Sequence, residues 1–241
     1  MDYLALFTHP IVYAPQPPAF FSPNLFSPHD CLDSALSPTL AHLVTCFEKY
    51  TVPSDFYNAT TYASAQPTPS QRAAWSNITH SLLDLSTTPN PPSTCTSISL
   101  PSPLQDIYSL SSFTDTNTSS SYCVLSETHS TDGVYTKGWG LVIVPATSSA
   151  LQRHLHISAP HPLFDTGTPV QAAALFAAVG SKSLVIHGRH RKAFLSPAGC
   201  VEGKDYPKTD PAHDKVNIPY PRTKALCADC VRDPGRAFLR H

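Results

Sequence analysis

Residues 155–186 read LHISAPHPLFDTGTPVQAAALFAAVGSKSLVI, and their pattern predicts the fold class. Its two ends, LHI and SLVI, are rich in β-branched and other apolar residues, which is typical of strands. Between them the pattern predicts a helix, with Thr168 as its N-cap, Pro169 at the first helical position and Gly180 at its end. Strand, helix and strand within about 35 residues predict a βαβ unit, whose two strands run parallel and are joined by a right-handed connection.

The rest of the chain predicts further strands and helices around this unit. Strands are expected at residues 122–125 and 141–144, and helices at 37–50 and 70–85, with Ser37 and Ser70 as N-caps. Most of the 25 prolines lie in the first half, where they interrupt regular structure. We therefore expect a single α/β domain with a mixed, partly parallel sheet and flanking helices. Its expected parts are a Pro-, Ser- and Thr-rich helical and irregular part, a sheet with the candidate metal site, and an irregular tail, at residues 1–120, 121–215 and 216–241.

The composition excludes two classes of partner. Charged residues make up 14% of the chain and the formal net charge is -1, so no basic surface is expected to hold nucleic acid or an anionic membrane. No run of about 18 apolar residues occurs, and the N-terminus has no basic lead before a long apolar stretch, so neither a membrane span nor a signal peptide is expected.

Cysteines and glycosylation sequons bear on the compartment. The 7 cysteines have no regular spacing, and they fit neither a dense disulfide scaffold nor a zinc finger. The single CxxC at Cys227 and Cys230 favours a local disulfide or free thiols over a metal site. N-glycosylation sequons begin at Asn58, Asn77 and Asn117. These features favour an extracellular glycoprotein, whose leader would have to precede this sequence, over a cytoplasmic protein.

The polar residues that carry chemistry collect after the two parallel strands. Parallel neighbours share one carboxyl-end edge, and ligands of open α/β sheets bind at that edge. Imidazoles, carboxylates and a guanidinium follow the two strands or lie in a later loop: His161, Asp165, His190, Arg191, Asp210 and His213. We expect these side chains to converge on one small-molecule or peptide-like substrate.

Neutral imidazoles and ionised carboxylates together bind zinc or a similar divalent cation, and an open coordination position acidifies a bound water. Asp210 is the candidate general base, and Arg191 or Arg189 is expected to orient an anionic group of the substrate through its planar fork. The positive end of the helix that starts at Pro169 would keep Asp165 ionised.

Residues 139–214 also carry a family resemblance. The string His161-Pro-Leu-Phe-Asp165-Thr-Gly-Thr168, after the strand that starts at His154, resembles the metal-binding start of the poly-γ-glutamate hydrolases, which are zinc carboxypeptidase-like enzymes. It is also similar to the N-formylglutamate amidohydrolases, whose Pro-His after a strand carries a metal ligand. The resemblance implies that His161 and Asp165 are the first two ligands of a zinc ion. It implies His213, or else His190, as the third.

The function expected from these features is divalent-metal-dependent hydrolysis of an amide bond in a carboxylate-bearing substrate. One alternative is a non-catalytic secreted binding protein, a truncated or decayed relative that keeps the fold. Another is a sugar- or phosphate-binding protein that uses Arg189 and Arg191 without a metal. Purely structural roles are also open, with Asp165 capping the following helix and residues 188–191 forming a solvated basic turn. The sequence indicates no oligomeric state.

Overall fold

A computed structural model describes residues 27–85, 95–198 and 204–213 of the chain. The helices of this part are α1 (Leu40–Glu48), α2 (Ala59–Ala65), α3 (Pro69–Leu85) and α4 (Thr168–Val179). The strands are β1 (Tyr108–Thr114), β2 (Ser121–Glu127), β3 (Ser130–Thr131), β4 (Val134–Tyr135), β5 (Leu141–Pro145), β6 (Arg153–Ala159) and β7 (Ser181–Ile186). The predicted tail at 216–241 and the CxxC of Cys227 and Cys230 lie outside the described residues.

Five of the strands form one mixed sheet in the order β1-β2-β5-β7-β6. The neighbours β1 and β2, β2 and β5, and β5 and β7 pair antiparallel, whereas β6 and β7 pair parallel. The predicted βαβ unit is therefore confirmed, and the protein has an α/β fold with a mixed, partly parallel sheet and flanking helices. In the parallel pair Ala159 is the partner of Ile186, so both strands end at the same edge.

Helix α4 forms where the sequence predicts it, with one change at its start. Gly167 (φ 80°) is the N-cap, and Thr168, predicted as the cap, is the first helical residue. The Thr168 hydroxyl donates to the carbonyl of Asp165 at 2.7 Å. Gly180 (φ 57°) ends the helix in the left-handed region, which glycine adopts without steric cost.

Helices α1 and α3 also begin at different residues from those predicted. Thr39 rather than Ser37 caps α1, because its hydroxyl accepts the backbone N–H of His42 at 3.3 Å. For α3 the hydroxyl of Thr68 accepts the backbone N–H of Gln71 at 3.2 Å, in the role expected of Ser70. In both cases a nearby threonine provides the side-chain oxygen that the first turn requires.

The sheet begins earlier than predicted, at β1, within the part expected to be helical and irregular. Strand β1 pairs with β2 along its whole length, from Tyr108 opposite Glu127 to Thr114 opposite Ser121. Strand β1 lies at the edge of the sheet, where serine is tolerated, and its sequence YSLSSFT is rich in serine. It therefore lacks the apolar pattern that identified the central strands. Its long-range pairing, and not its own composition, makes it a strand.

Apolar side chains cover both faces of the sheet. Val124, Ile143 and Leu184 point to one face and join a core with residues of α1 and α4. Leu125 and Val142 point to the other face and join a core with residues of α3. Alternate residues of a strand lie on opposite faces, so the two cores follow from the strand geometry. The result is three layers, with helices on both sides of the sheet.

Two disulfides connect peripheral segments to these layers. Cys31 is bonded to Cys46 at the end of α1, and Cys95 is bonded to Cys123 in β2. Within residues 27–85, 95–198 and 204–213, no helix is both long enough and apolar enough to cross a membrane.

Candidate functional site

The imidazole of His161 lies between two carboxylates at the edge where β6 and β7 end. Strand β6 stops at Ala159, and after Pro160 the chain turns so that the amides of Phe164 and Asp165 bond to the carbonyl of His161. This turn brings Asp165 Oδ2 to 3.0 Å from His161 Nδ1. On the other side, His161 Nε2 is 3.1 Å from Asp210 Oδ1. Both ring nitrogens therefore face carboxylate oxygens.

Asp210 is the centre of the cluster, and its carboxylate is completely buried. Oδ1 contacts His161 and accepts the backbone N–H of Ala212 at 3.0 Å. Oδ2 accepts a short hydrogen bond from Arg191 and lies 3.1 Å from Nδ1 of His213. Burial alone would raise the pKa of Asp210, but the His161 hydrogen bond and the Arg191 charge lower it to about 2. The carboxylate is therefore ionised at neutral pH.

Hydrogen bonds around Thr209 hold Asp210 against the segment that follows β7. The Thr209 hydroxyl accepts the amide N–H of Phe194 and donates to the carbonyl of Arg191, each at 3.0 Å. The ring of His213 stacks on Tyr206 with a centroid distance of 3.6 Å and an angle of 5°. These contacts bring a loop that is distant in sequence to the carboxyl ends of β6 and β7.

Asp165 differs from Asp210 in its exposure, since 44% of its side chain is accessible. Its carboxylate contacts His161, four residues earlier, and the N-cap of α4 is Gly167. The alternative that Asp165 caps α4 is therefore wrong, because the N-cap is Gly167 and the partner of the Asp165 carboxylate is His161. Its backbone carbonyl accepts the hydroxyl of Thr168.

His190 lies beside the cluster, but its contacts differ from those of the other predicted ligands. Its Nδ1 accepts the backbone N–H of Lys192 at 3.0 Å, and its ring meets the edge of Phe164 at 5.5 Å. Within the part of the chain that the structure describes, no ion pair joins His190 to Asp165 or Asp210. The structure therefore brings together five of the six predicted site residues, namely His161, Asp165, Arg191, Asp210 and His213.

His187 is a buried imidazole next to this cluster and is not among the ligands that the sequence predicts. It follows β7 directly, and its Nδ1 donates to the carbonyl of Arg189 at 3.2 Å. Among the described residues its Nε2 has no hydrogen-bond partner. Burial and then the charge of Arg189 lower the pKa of His187 to about 3, so the ring is neutral at pH 7. The sequence signal was its position immediately after the strand.

Arg189 has a structural role and not the anion-binding role that the sequence suggested. It is 1% exposed and donates to the carbonyls of Lys137 and Ala65, each at 3.0 Å. Its guanidinium carbon lies 5.3 Å from the ring centre of Tyr57. Residues 188–191 are therefore not a solvated basic turn. The side chain of Arg189 is buried in the protein, and that of Arg191 binds Asp210.

Glu127, at the end of β2, is the buried acidic residue near Arg189. Its buried carboxylate accepts backbone N–H groups of three consecutive residues, Lys137, Gly138 and Trp139. Burial raises the pKa of Glu127 to about 7, although these amides and the charge of Arg189 act to lower it. Glu127 and Arg189 together hold the segment at 137–139. Glu127 is absent from the residues that the sequence identified, and Arg189 was expected there to bind an anion.

The donor atoms of the cluster contact one another directly. Within residues 27–85, 95–198 and 204–213, no three His, Cys, Asp or Glu side chains surround a common point at metal-binding distances in their present positions. No family model matches the chain, and no match was found among curated proteins or solved structures.

Proposed function

We propose that the cluster around Asp210 binds a divalent cation, zinc in the first instance, and that the protein is a hydrolase of an amide bond in a carboxylate-bearing substrate. One observation carries the proposal: a buried, ionised carboxylate has an imidazole nitrogen 3.1 Å from each of its two oxygens. Neighbouring ligands of tetrahedral zinc, with bonds of about 2.0–2.1 Å, lie about 3.3 Å apart. The separations in the cluster are close to this value.

The chemistry of the donors fits such an ion. Nε2 of His161 and Nδ1 of His213 face Asp210, and a cation could take the place of the protons on these nitrogens. The carboxylate of Asp165 at Nδ1 of His161 corresponds to the outer carboxylate that orients many metal-binding histidines. We therefore assign His161, Asp210 and His213 as ligands. This changes the expected roles of Asp210, from base to ligand, and of Asp165, from ligand to orienting residue.

The unpartnered Nε2 of His187 gives independent support for a functional site at this edge of the sheet. A buried polar atom without a partner costs free energy, and such atoms recur at functional sites. His187 and His161 follow strands that end at the same edge of the sheet, because Ala159 and Ile186 are paired.

The bound ion would acidify a coordinated water near neutral pH. In amide hydrolysis the water loses a proton as its oxygen bonds to the carbonyl carbon, and the nitrogen gains a proton as the C–N bond breaks. Asp165 is the solvent-accessible carboxylate of the cluster, and we assign it to carry that proton. Arg191 keeps Asp210 ionised.

An extracellular location is part of the proposal. The disulfides Cys31–Cys46 and Cys95–Cys123 support it, because disulfides persist in oxidising compartments. Asn58, Asn77 and Asn117, the acceptors of the three sequons, are exposed, which supports glycosylation at these positions.

Elemental analysis of the purified full chain, after incubation with zinc and removal of the excess, tests the metal site. We expect one zinc per chain, and loss of that zinc in His161→Ala, Asp210→Ala and His213→Ala. Asp165→Asn should weaken zinc binding by about 10- to 100-fold, as expected for an orienting carboxylate. The matched control is His154→Ala, an exposed histidine on β6, which should bind zinc as the wild type does.

The main alternative is a non-catalytic binding protein that retains the cluster as a structural ion-pair network. It is favoured by the observation that both oxygens of Asp210 already have protein partners. Wild-type protein that takes up no zinc, and whose stability is unchanged by zinc, would support this alternative and reject the hydrolase proposal.

A further inference from the structure

Two exposed apolar side chains lie in the loop between His161 and Asp165. Leu163 is 43% exposed and Phe164 is 40% exposed. The ring of Phe164 lies 6.3 Å from the imidazole of His161 and 4.8 Å from the guanidinium carbon of Arg191. Phe164 is therefore a solvent-accessible apolar surface next to two of the three side chains that contact Asp210.

The backbone of this loop has a conformation that is unfavourable for leucine. Leu163 has φ 62°, in the left-handed region that side chains with a Cβ rarely adopt. The backbone amide of Leu163 lies near the carboxylate of Glu48, at the end of α1. The amide of Phe164 bonds to the carbonyl of His161 at 3.2 Å. The fold thus holds an exposed leucine in a strained position, as is often found at ligand-binding loops.

A positive charge lies over the same aromatic ring. Nζ of Lys192 is 5.5 Å from the ring centre of Phe164, and the Lys192 side chain is exposed. No Asp or Glu within the described residues forms an ion pair with Lys192. The guanidinium of Arg191, in contrast, is engaged by Asp210. Lys192 is therefore the cation of this surface that is available to an anion.

We propose that Leu163, Phe164 and Lys192 form a subsite for a carboxylate that carries an apolar chain. The chain would pack on Leu163 and Phe164, and the carboxylate would pair with Lys192. A cationic ligand is disfavoured because Arg191 and Lys192 both approach the Phe164 ring. The patch is two apolar side chains wide, which suits a small molecule and not a protein interface of about 800 Å².

This inference rests on the proposed function, because the subsite would hold the apolar, carboxylate-bearing part of the amide substrate beside Asp210. It narrows that substrate class from any carboxylate-bearing amide to one with an apolar group next to the carboxylate. It also assigns Leu163, Phe164 and Lys192 to specificity and not to the chemical step.

NMR titration of the full chain with hexanoate, hexylammonium and acetate tests the subsite, in metal-free protein and in protein incubated with zinc. We expect hexanoate to bind more tightly than either of the other two ligands. Phe164→Ala and Lys192→Met should each weaken hexanoate binding by roughly five- to tenfold. Matched controls are Leu175→Ala, which removes an apolar side chain 50% exposed on α4, and Lys182→Met, at the opposite end of β7 from the site.

The outcomes separate this inference from the metal site. Equal binding of the three ligands, or hexanoate binding that is unchanged by both Phe164→Ala and Lys192→Met, would overturn the subsite even if the protein binds zinc. Selective hexanoate binding to metal-free protein, lost in these two variants and kept in both controls, would support the subsite even if no zinc is taken up.

Discussion

His161 and Asp210 are separated by 49 positions in the sequence, and yet Nε2 of His161 lies 3.1 Å from Oδ1 of Asp210. This contact joins the end of β6 to the loop at 204–213. It also makes one buried carboxylate the shared partner of His161, Arg191 and His213. Removing the charge of Asp210 therefore affects three side chains at once, and its ionisation should be visible in the stability of the protein.

Asp210→Asn should remove an acid-dependent part of the stability. The pKa of Asp210 is about 2 in the folded protein, below its ordinary value of 3.8, so the ionised carboxylate stabilises the fold. That contribution is present above pH 3.8 and is lost as the pH falls through about 2. The difference between the two pKa values corresponds to roughly 2 kcal/mol. This contribution is measured by urea unfolding of the wild type and of Asp210→Asn at several pH values between about 2 and 6.

The gap in unfolding free energy between these two proteins should narrow as the pH is lowered. Asp165→Asn, which changes the exposed carboxylate on the other side of His161, is the control. Parallel stability curves for wild type and Asp210→Asn at acid pH would contradict the assignment of Asp210 as the buried ionised group.

Glu127→Gln should have the opposite pH dependence. The pKa of Glu127 is raised by burial from 4.5 to about 7, so the fold favours the neutral carboxyl. The stability that this provides is complete below pH 4.5 and is lost as the pH rises through about 7. The wild type should therefore lose roughly 3 kcal/mol relative to Glu127→Gln over this interval. Denaturant unfolding at several pH values from 4 to 8 tests the prediction.

The control for Glu127 is Asp132→Asn, in the exposed turn between β3 and β4, where asparagine also tolerates the left-handed backbone (φ 52°). This variant replaces an exposed carboxylate by its amide and so gives the reference against which the effect of Glu127→Gln is compared. A constant difference between wild type and Glu127→Gln would show that Glu127 ionises in the folded protein as it does in the unfolded chain.

Gly188→Ala should destabilise the protein through a backbone clash. A Cβ at Gly188 would lie 2.7 Å from the amide nitrogen of Gly140 and 2.8 Å from the carbonyl carbon of Gly138. Both are backbone atoms that cannot rotate away, so the segments at 138–140 and 187–190 would have to separate. We expect a loss of about 1–3 kcal/mol or more in the free energy of unfolding, measured by chemical denaturation.

Gly133→Ala is the matched control for this clash. A Cβ there meets no atom within 4 Å, although Gly133 has φ 78°. Gly133→Ala should lower the free energy of unfolding only by about 1–2 kcal/mol, the amount that a residue with a Cβ loses in the left-handed backbone conformation. If Gly188→Ala is no more destabilising than Gly133→Ala, then the two segments are not as closely packed as the structure indicates.

Local signals in the sequence determined the βαβ unit. Alternating and β-branched apolar residues predict β6 and β7, and Pro169 and Gly180 predict α4. Because two parallel strands joined by a helix end at one edge, these signals also predict that His161 and the residues after β7 lie at the same edge. The contact of His161 with Asp165 follows from a turn within four residues.

The residues that complete the site were set by contacts that form in the folded protein. Asp210 and His213 reach it because Thr209 bonds to the backbone of Arg191 and Phe194, and no local pattern encodes that pairing. The packing of His190 on Phe164, the burial of Arg189 beside Tyr57, and the strand identity of β1 were likewise decided by distant partners. Periodicity and capping act over one or two turns of chain and can be recognised in the sequence, whereas these contacts join segments that meet only after folding.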